Sequence, residues 1–203
     1  MMSFRIALAA AFALSVAPAL AQNARIATAR ATIKSVSADG ATLSVRTRAG
    51  EDRTVHLMPK TRVILVVPAS LAEVKPGAFI GVAALPGEGG ELKAMEVHIF
   101  PESMRGTGEG YRPFDLAPKS SMTNGNISAR VDAATGPKLT VTYKGGEQTI
   151  LVDPKTPIVA LEPAARTDLK PGENIIARGP SHADGSIDAA FVLVGKDGLT
   201  PPM

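Results

Sequence analysis

Two short stretches of this chain, each of which occurs twice, decide the fold. Pro59-Lys60-Thr61 recurs as Pro154-Lys155-Thr156, and Lys75-Pro76-Gly77 recurs as Lys170-Pro171-Gly172, both 95 positions later. Self-similarity at a fixed spacing is typical of a duplicated structural unit. The sequence therefore predicts two copies of one small domain.

The apolar residues around these tripeptides keep the same register. Val55 corresponds to Ile150 at the offset of 95 residues. Farther upstream the offset becomes 96, because Leu43-Ser44-Val45 matches Leu139-Thr140-Val141. A length difference of one residue in a turn explains the change of offset. The duplication therefore covers most of the chain.

Each copy has the pattern of short β-strands. The segment 42–47 alternates apolar and polar residues, and 62–67 is a continuous apolar run, short enough for a strand buried on both faces. Most prolines and glycines fall between such segments, as turns require. Five or six short strands per copy predict a small closed or nearly closed barrel, with a flat sandwich as the alternative. The predicted strands are 31–36, 42–47, 53–58, 62–67, 79–85 and 92–100, then 126–131, 138–143, 148–152, 158–161, 173–179 and 187–194.

The order of these signals resembles an uncharacterised family of bacterial exported proteins. A polar–apolar hairpin and a strand ending in Pro-Lys-Thr precede a short helical turn, Lys-Pro-Gly, another strand, a Gly-rich turn and a closing strand. The resemblance covers residues 28–99 and 126–194 and implies OB-like barrels in tandem. Its motifs are turn and core residues, so it implies no catalytic residue.

The N-terminus has the pattern of a secretory signal peptide. Arg5 precedes an apolar run from Ile6 to Val16, and Ala19-Leu20-Ala21 forms an Ala-x-Ala cleavage site. The run is shorter than the roughly twenty residues of a membrane-spanning helix, which disfavours a retained anchor. We therefore predict cleavage after Ala21, no membrane span in the mature form, and a periplasmic location.

The composition disfavours several classes of function. The chain has no cysteine, which excludes thiolate catalysis and zinc–cysteine sites. Its 22 Lys and Arg residues are nearly balanced by 19 Asp and Glu residues and are scattered, so no nucleic-acid partner is expected. No Gly-x-Ser-x-Gly elbow is present, and catalysis is the minor alternative.

These signals give the predicted organisation of the chain. The fold class is all-β, with two small OB-like barrels of five to six strands in tandem, joined by a long loop after a signal peptide. The segments are the signal peptide 1–21, the first barrel 22–99, an ordered linker 100–125, the second barrel 126–196 and a C-terminal tail 197–203.

The linker is the first candidate site, because long connections without apolar periodicity are often functional. Its glycines let the backbone approach a ligand, and its arginines suit an anionic group. The candidate ligand-binding residues are Arg105, Glu109, Tyr111, Arg112 and Asp115. The alternative is a structured linker that only packs Tyr111 and Phe114 against a barrel.

A second candidate site combines imidazole and thioether groups. His56, Met58, Met95 and His98 occur only in the first copy, and this ligand set suits copper. Methionine in a strand is also a common core residue. The sequence thus favours a non-enzymatic periplasmic binding or interaction module without a cofactor. Its partner is an unknown envelope protein or small ligand, and a copper-binding protein is the alternative.

Overall fold

The computed structural model describes residues 25–134 and 136–203, and these residues form an all-β fold. The predicted signal peptide, 1–21, with its cleavage site after Ala21 lies outside the described residues. Within the described part of the chain, no helix has the length and apolar character needed to cross a membrane.

Twelve strands and five single 3-10 turns make up the regular structure of the described residues. The strands are β1 Arg25–Val36, β2 Thr42–Thr47, β3 Asp52–Pro68, β4 Phe79–Pro86, β5 Leu92–Ile99, β6 Gly110–Pro113, β7 Ser121–Val131, β8 Lys138–Tyr143, β9 Gly146–Leu151, β10 Ile158–Ala164, β11 Asn174–Ser181 and β12 Ile187–Gly195. The turns are Leu71–Glu73, Glu88–Gly90, Glu102–Met104, Arg166–Asp168 and Lys196–Gly198.

The strands belong to one sheet, in which two groups of five strands each pair in a cycle. In the first ring the order is β12-β11-β1-β2-β3, and β3 pairs back to β12. In the second ring the order is β5-β4-β7-β8-β9, and β9 pairs back to β5. Strand β10 connects the rings, because it pairs antiparallel with β3 and parallel with β5.

Each ring takes strands from both copies of the repeat, which differs from the predicted division into 22–99 and 126–196. The first ring joins β1, β2 and β3 to β11 and β12, and the second joins β7, β8 and β9 to β4 and β5. The physical reason lies in the segment after Pro-Lys-Thr, which is the second half of β3 in one copy and β10 in the other. In both copies this segment pairs with its counterpart in the other copy, so the hairpin that follows completes the other ring.

The two copies meet in an antiparallel ladder between β3 and β10. Val66 lies opposite Leu161, its own counterpart at the offset of 95 residues. An antiparallel ladder that pairs equivalent residues has a local two-fold axis at that pair. The ring closures obey the same symmetry, because Ile187 pairs with Val55 as Leu92 pairs with Ile150. The duplicated copies are therefore interleaved about a pseudo-two-fold axis.

Buried apolar side chains form three clusters, and these confirm the interleaving. One cluster fills the first ring and includes Ile33, Leu43, Val55, Ile175 and Val192. A second fills the second ring and includes Ile80, Val97, Ile127, Leu139 and Ile150. The third, called here the inter-ring cluster, consists of Ile64, Val66, Phe79, Phe100, Val159, Leu161, Ile176, Leu193 and Met203.

The linker is shorter and more regular than predicted. Strand β7 begins at Ser121 rather than near Asn126, so the connection between the copies ends at Ser120. Within it β6 pairs antiparallel with β7, with Tyr111 opposite Thr123. The connection is therefore attached to the second ring by a sheet ladder.

Candidate functional site

A cavity of about 520 Å³ lies between the two rings, beside the linker. Side chains from the first ring, the second ring and the linker all line it. Cavities of this size accommodate small organic molecules. The inter-ring cluster supplies its apolar lining through Ile64, Phe100 and Met203, among others.

The first-ring wall of the cavity consists of two rows of side chains that cross four paired strands. The strand register gives an outer row of Thr28, Arg178, Phe191 and Arg62, and a second row of Arg30, Ile176, Leu193 and Ile64. The three aliphatic members of the second row are buried. The outer row of this wall therefore carries two arginines, and the second row is mainly buried and aliphatic.

The second-ring wall carries polar groups at the corresponding positions. The register places Asn124 beside Gly81, and Gly81 beside His98. At the offset of 95 residues, Gly81 corresponds to Ile176 and His98 to Leu193. The two walls are thus related by the pseudo-two-fold axis in backbone but differ in chemistry.

His98 is held by a buried carboxylate. Its Nδ1 lies 3.3 Å from Oε2 of Glu96, and the two residues are 4% and 0% exposed. The ring of Phe100 packs edge-on against the imidazole, with ring centroids 4.9 Å apart. The other oxygen of Glu96, Oε1, is buried and has no hydrogen-bond partner in the described structure. Unpartnered buried polar atoms are uncommon and destabilising, which marks this group as a functional candidate.

Asn124 forms the neighbouring polar contact. Its Nδ2 donates to the backbone oxygen of Thr107 at 3.0 Å, which connects β7 to the linker. Its Oδ1 is buried and accepts no hydrogen bond from any described residue. Asn124 therefore presents an unused acceptor beside His98.

The structure brings three of the five predicted linker residues to the cavity: Glu109, Arg112 and Asp115. Arg105 instead donates to Glu102 Oε1 at 2.6 Å and to the backbone oxygen of Gly77 at 3.1 Å, away from the cavity lining. Tyr111 is 48% exposed and also does not line the cavity. The expectation that these two residues contact a ligand there is therefore not supported.

The cavity rim has more cations than anions. Four arginines line it (Arg30, Arg62, Arg112 and Arg178), against the carboxylates Glu109 and Asp115. Asp115 pairs with Arg30 at 2.8 Å, and this hydrogen bond is the main reason that the pKa of Asp115 lies below its usual range. Burial, and then the like charge of Arg178, lower the pKa of Arg112. Among the described residues, no carboxylate pairs with Arg62, Arg112 or Arg178.

The predicted histidine–methionine set is divided between the two rings. His56 and Met58 lie on β3, in the part that pairs with β2 or follows it, whereas Met95 and His98 lie on β5. Only His98 lines the cavity, and Met58 is 43% exposed. In ranges 25–134 and 136–203, no group of three or more histidines, aspartates or glutamates is arranged to hold a metal.

Sequence analysis missed the arginines on the strands and the buried carboxylate. One signal was present for Glu96 and His98: they stand two residues apart on one face of a strand, and their counterparts are Phe191 and Leu193. No pattern in the sequence predicts that Arg62 and Arg178 line the same cavity. They do so because the interleaved fold takes β3 and β11 from different copies of the repeat.

No family model matches this chain, and no curated protein or solved structure is significantly similar to it. The site is therefore interpreted from its geometry and chemistry.

Proposed function

We propose that the protein is a non-enzymatic binding protein whose ligand is a small anion with an apolar body, held in the inter-ring cavity. The observation that carries the proposal is the first-ring wall, where Arg62 and Arg178, which form no ion pair with any described residue, border buried aliphatic side chains. Of the two predicted partner classes, a small ligand suits a cavity of about 520 Å³ better than an envelope protein does.

The apolar half of the cavity supports a ligand with a hydrocarbon or aromatic body. Ile64, Ile176 and Leu193 are between 4% and 6% exposed, and all three line the cavity. Each methylene group transferred from water to such a surface contributes about 0.8 kcal/mol. A body of several carbons would therefore give substantial affinity without any further polar contact.

The arginines support an anionic head group. A guanidinium group binds carboxylate or phosphate oxygens in bidentate fashion, and charge-assisted hydrogen bonds of this kind are the strong ones. Arg112 and Arg178 lie close enough for their charges to oppose each other. Asp115 offsets part of this repulsion, since its pKa is lowered by the hydrogen bond from Arg30 and also by the charge of Arg178, and a bound anion would offset more of it.

The state of the lining carboxylates favours binding over catalysis. Asp115 is engaged by Arg30, and Glu109 Oε1 accepts a hydrogen bond from the backbone nitrogen of Lys144 at 2.9 Å. A carboxyl group acts as a general acid or base only where it is free to reach the reacting atoms. We therefore place both groups among the structural contacts of the linker.

We further propose that each ring is a small OB-like barrel and that the mature protein works in the periplasm. The cyclic pairing and the apolar cluster inside each ring support the barrel interpretation. The Ala-x-Ala motif after a short apolar run supports export. N-terminal sequencing of the exported protein should begin at Gln22, and a product that retains Met1 in the membrane fraction would contradict export.

Ligand binding can be tested with chemically defined probes. The fluorescent probe anilinonaphthalene sulfonate joins an aromatic body to an anion and should bind the purified mature protein in the cavity. Octanoate and octyl phosphate should displace it, whereas octanol and octylammonium should displace it much more weakly.

Two variants locate the site. Arg178→Ala should weaken octanoate binding by about tenfold, the effect of losing one charge-assisted hydrogen bond. Arg46→Ala is the matched control, because Arg46 is exposed, pairs with Asp52 at 3.2 Å and does not line the cavity. Equal effects of the two substitutions, or equal displacement by octanol and octanoate, would contradict the proposal.

A further inference from the structure

We propose that His98 and Asn124 form a second subsite in the cavity, which recognises a hydroxyl or neutral N–H group of the ligand. This inference rests on the proposed function and makes it more specific. The ligand would then be an anion whose apolar body also carries a hydrogen-bond donor, as in a hydroxy acid. Four observations lead to it.

The first observation is that the fold does not require polar residues at this place. Leu193 and Phe191 occupy the positions of the second copy that correspond to His98 and Glu96. Leu193 belongs to the inter-ring cluster, and Phe191 packs against it. Because the same strand geometry accommodates apolar side chains there, a buried carboxylate and imidazole need another explanation than folding.

The second observation concerns the two ring nitrogens of His98, of which Nδ1 faces Glu96. With an ionised Glu96 and a neutral ring, Nδ1 carries the proton, because a carboxylate accepts hydrogen bonds and cannot donate them. In the neutral ring, Nε2 then carries a free lone pair. His98 lines the cavity, and Nε2 has no hydrogen-bond partner in the described ranges.

The third observation is that a second acceptor stands beside the first. The amide nitrogen of Asn124 is used by Thr107, which fixes the orientation of the amide and leaves Oδ1 unpartnered. Asn124 is only 4% exposed and lines the cavity. Two buried acceptors without donors destabilise the unliganded protein. A ligand group that donates to them would satisfy both and would be bound specifically.

The fourth observation is that Gly81 holds these two acceptors together. Its backbone pairs with β5 at His98 and with β7 at Asn124. A Cβ atom at residue 81 would overlap His98 Nε2 and would lie 2.7 Å from Asn124 Oδ1. Glycine therefore lets the imidazole lie against β4, so that both acceptors are within reach of one donor.

The arrangement predicts selectivity between ligands that differ by one hydroxyl group. Sites built to bond a polar group reject the analogue that lacks it, because their own groups then remain unpaired. Octanoates that carry one hydroxyl at successive carbons can be compared with plain octanoate by displacement of the fluorescent probe. At least one hydroxyoctanoate should bind about tenfold more tightly than octanoate, the effect of one good hydrogen bond.

The test variant combines Glu96→Phe with His98→Leu, which copies the residues of the second copy. It should lose the preference for the hydroxylated probe, so that octanoate and the hydroxyoctanoates bind it with the same affinity. Far-UV circular dichroism confirms that it folds, and Arg46→Ala again serves as the control that retains the preference.

The outcomes separate this inference from the proposed function. Binding of octanoate without any gain from a hydroxyl would overturn the second subsite and leave the anion site intact. A preference that persists in the double variant would also overturn the subsite. Failure of octanoate and every hydroxyoctanoate to bind would overturn the proposed function itself.

Discussion

Replacing His98 alone with leucine should destabilise the protein more than replacing Glu96 and His98 together with apolar residues. Glu96 is fully buried, its Oε1 has no partner, and its Oε2 is bonded only to His98. His98→Leu therefore leaves the carboxyl group without any described hydrogen-bond donor. Breaking a buried pair in this way costs about 3–5 kcal/mol of unfolding free energy.

The double substitution Glu96→Phe, His98→Leu should leave the free energy of unfolding unchanged or raise it. Replacing both members of a buried pair by apolar residues is often neutral or stabilising by about 1–4 kcal/mol. At the corresponding positions of β12, Leu193 is buried in the inter-ring cluster and Phe191 is partly buried against it. The double variant should therefore be at least as stable as the original protein.

Urea-induced unfolding, followed by far-UV circular dichroism, measures these differences, and an unchanged slope with urea shows that the comparison is valid. His182→Leu is the matched control, because His182 Nε2 lies 3.0 Å from Asp188 Oδ2 in a pair at the surface, with His182 half exposed. Such a pair contributes less than about 1 kcal/mol. The reasoning is refuted if His98→Leu costs no more than His182→Leu, or if the double variant is as unstable as the single one.

Three further predictions follow from the contacts between the rings and at the linker. The pKa of Asp115 is lowered in the folded state, so its pair with Arg30 stabilises the protein above the unfolded pKa and is lost as pH falls through the folded value. Asp115→Asn should then lower the free energy of unfolding at neutral pH by about 0.2–1 kcal/mol, because the Asp115 side chain is half exposed. It should have no effect in acid, and urea unfolding at both pH values measures the difference. Leu161→Ala, at the pseudo-two-fold axis, should cost about 2–5 kcal/mol in one cooperative transition, and calorimetry that shows two transitions would contradict it. Cutting a protease site inserted after Ala117 should leave both fragments associated in gel filtration, because each ring needs strands from both; separation without denaturant would count against the fold.

Local sequence patterns predicted the strands well, because alternation and turn residues act over a few positions. The hairpin β1–β2 and the strands around Val97 and Val192 lie close to where the repeat placed them. The pattern misjudged β3, which continues through Pro59 where the second copy turns at Pro154. The Pro-Lys-Thr motif thus has two conformations in this chain.

The repeat does not predict which ring each hairpin completes. Both copies carry apolar residues at most of the same core positions, so the sequence pattern does not show which ring β11 completes. The cavity depends on this choice, because Arg178 lines it together with Arg62 and Arg112 only when β11 joins the first ring. The sequence alone predicted the linker residues Glu109, Arg112 and Asp115 of the candidate site. It did not predict the arginines on the strands.

The interleaved pairing is the central claim, and engineered cysteines test it directly in a chain that has none. Ala29 and Ala177 lie directly opposite each other in the β1–β11 ladder. Opposite residues of antiparallel strands have Cα atoms about 4.5–5.5 Å apart, within the range that a disulfide spans. Ala29→Cys with Ala177→Cys should therefore form a disulfide on oxidation. Val82, the counterpart of Ala177, would face Ala29 if each copy folded by itself.

The measurement is non-reducing electrophoresis of both double-cysteine proteins after oxidation, with peptide mass spectrometry to locate the bond. The interleaved fold predicts a disulfide in the Ala29→Cys, Ala177→Cys protein and none in the Ala29→Cys, Val82→Cys protein. The reverse result, a bond between residues 29 and 82 and none between 29 and 177, would contradict the account.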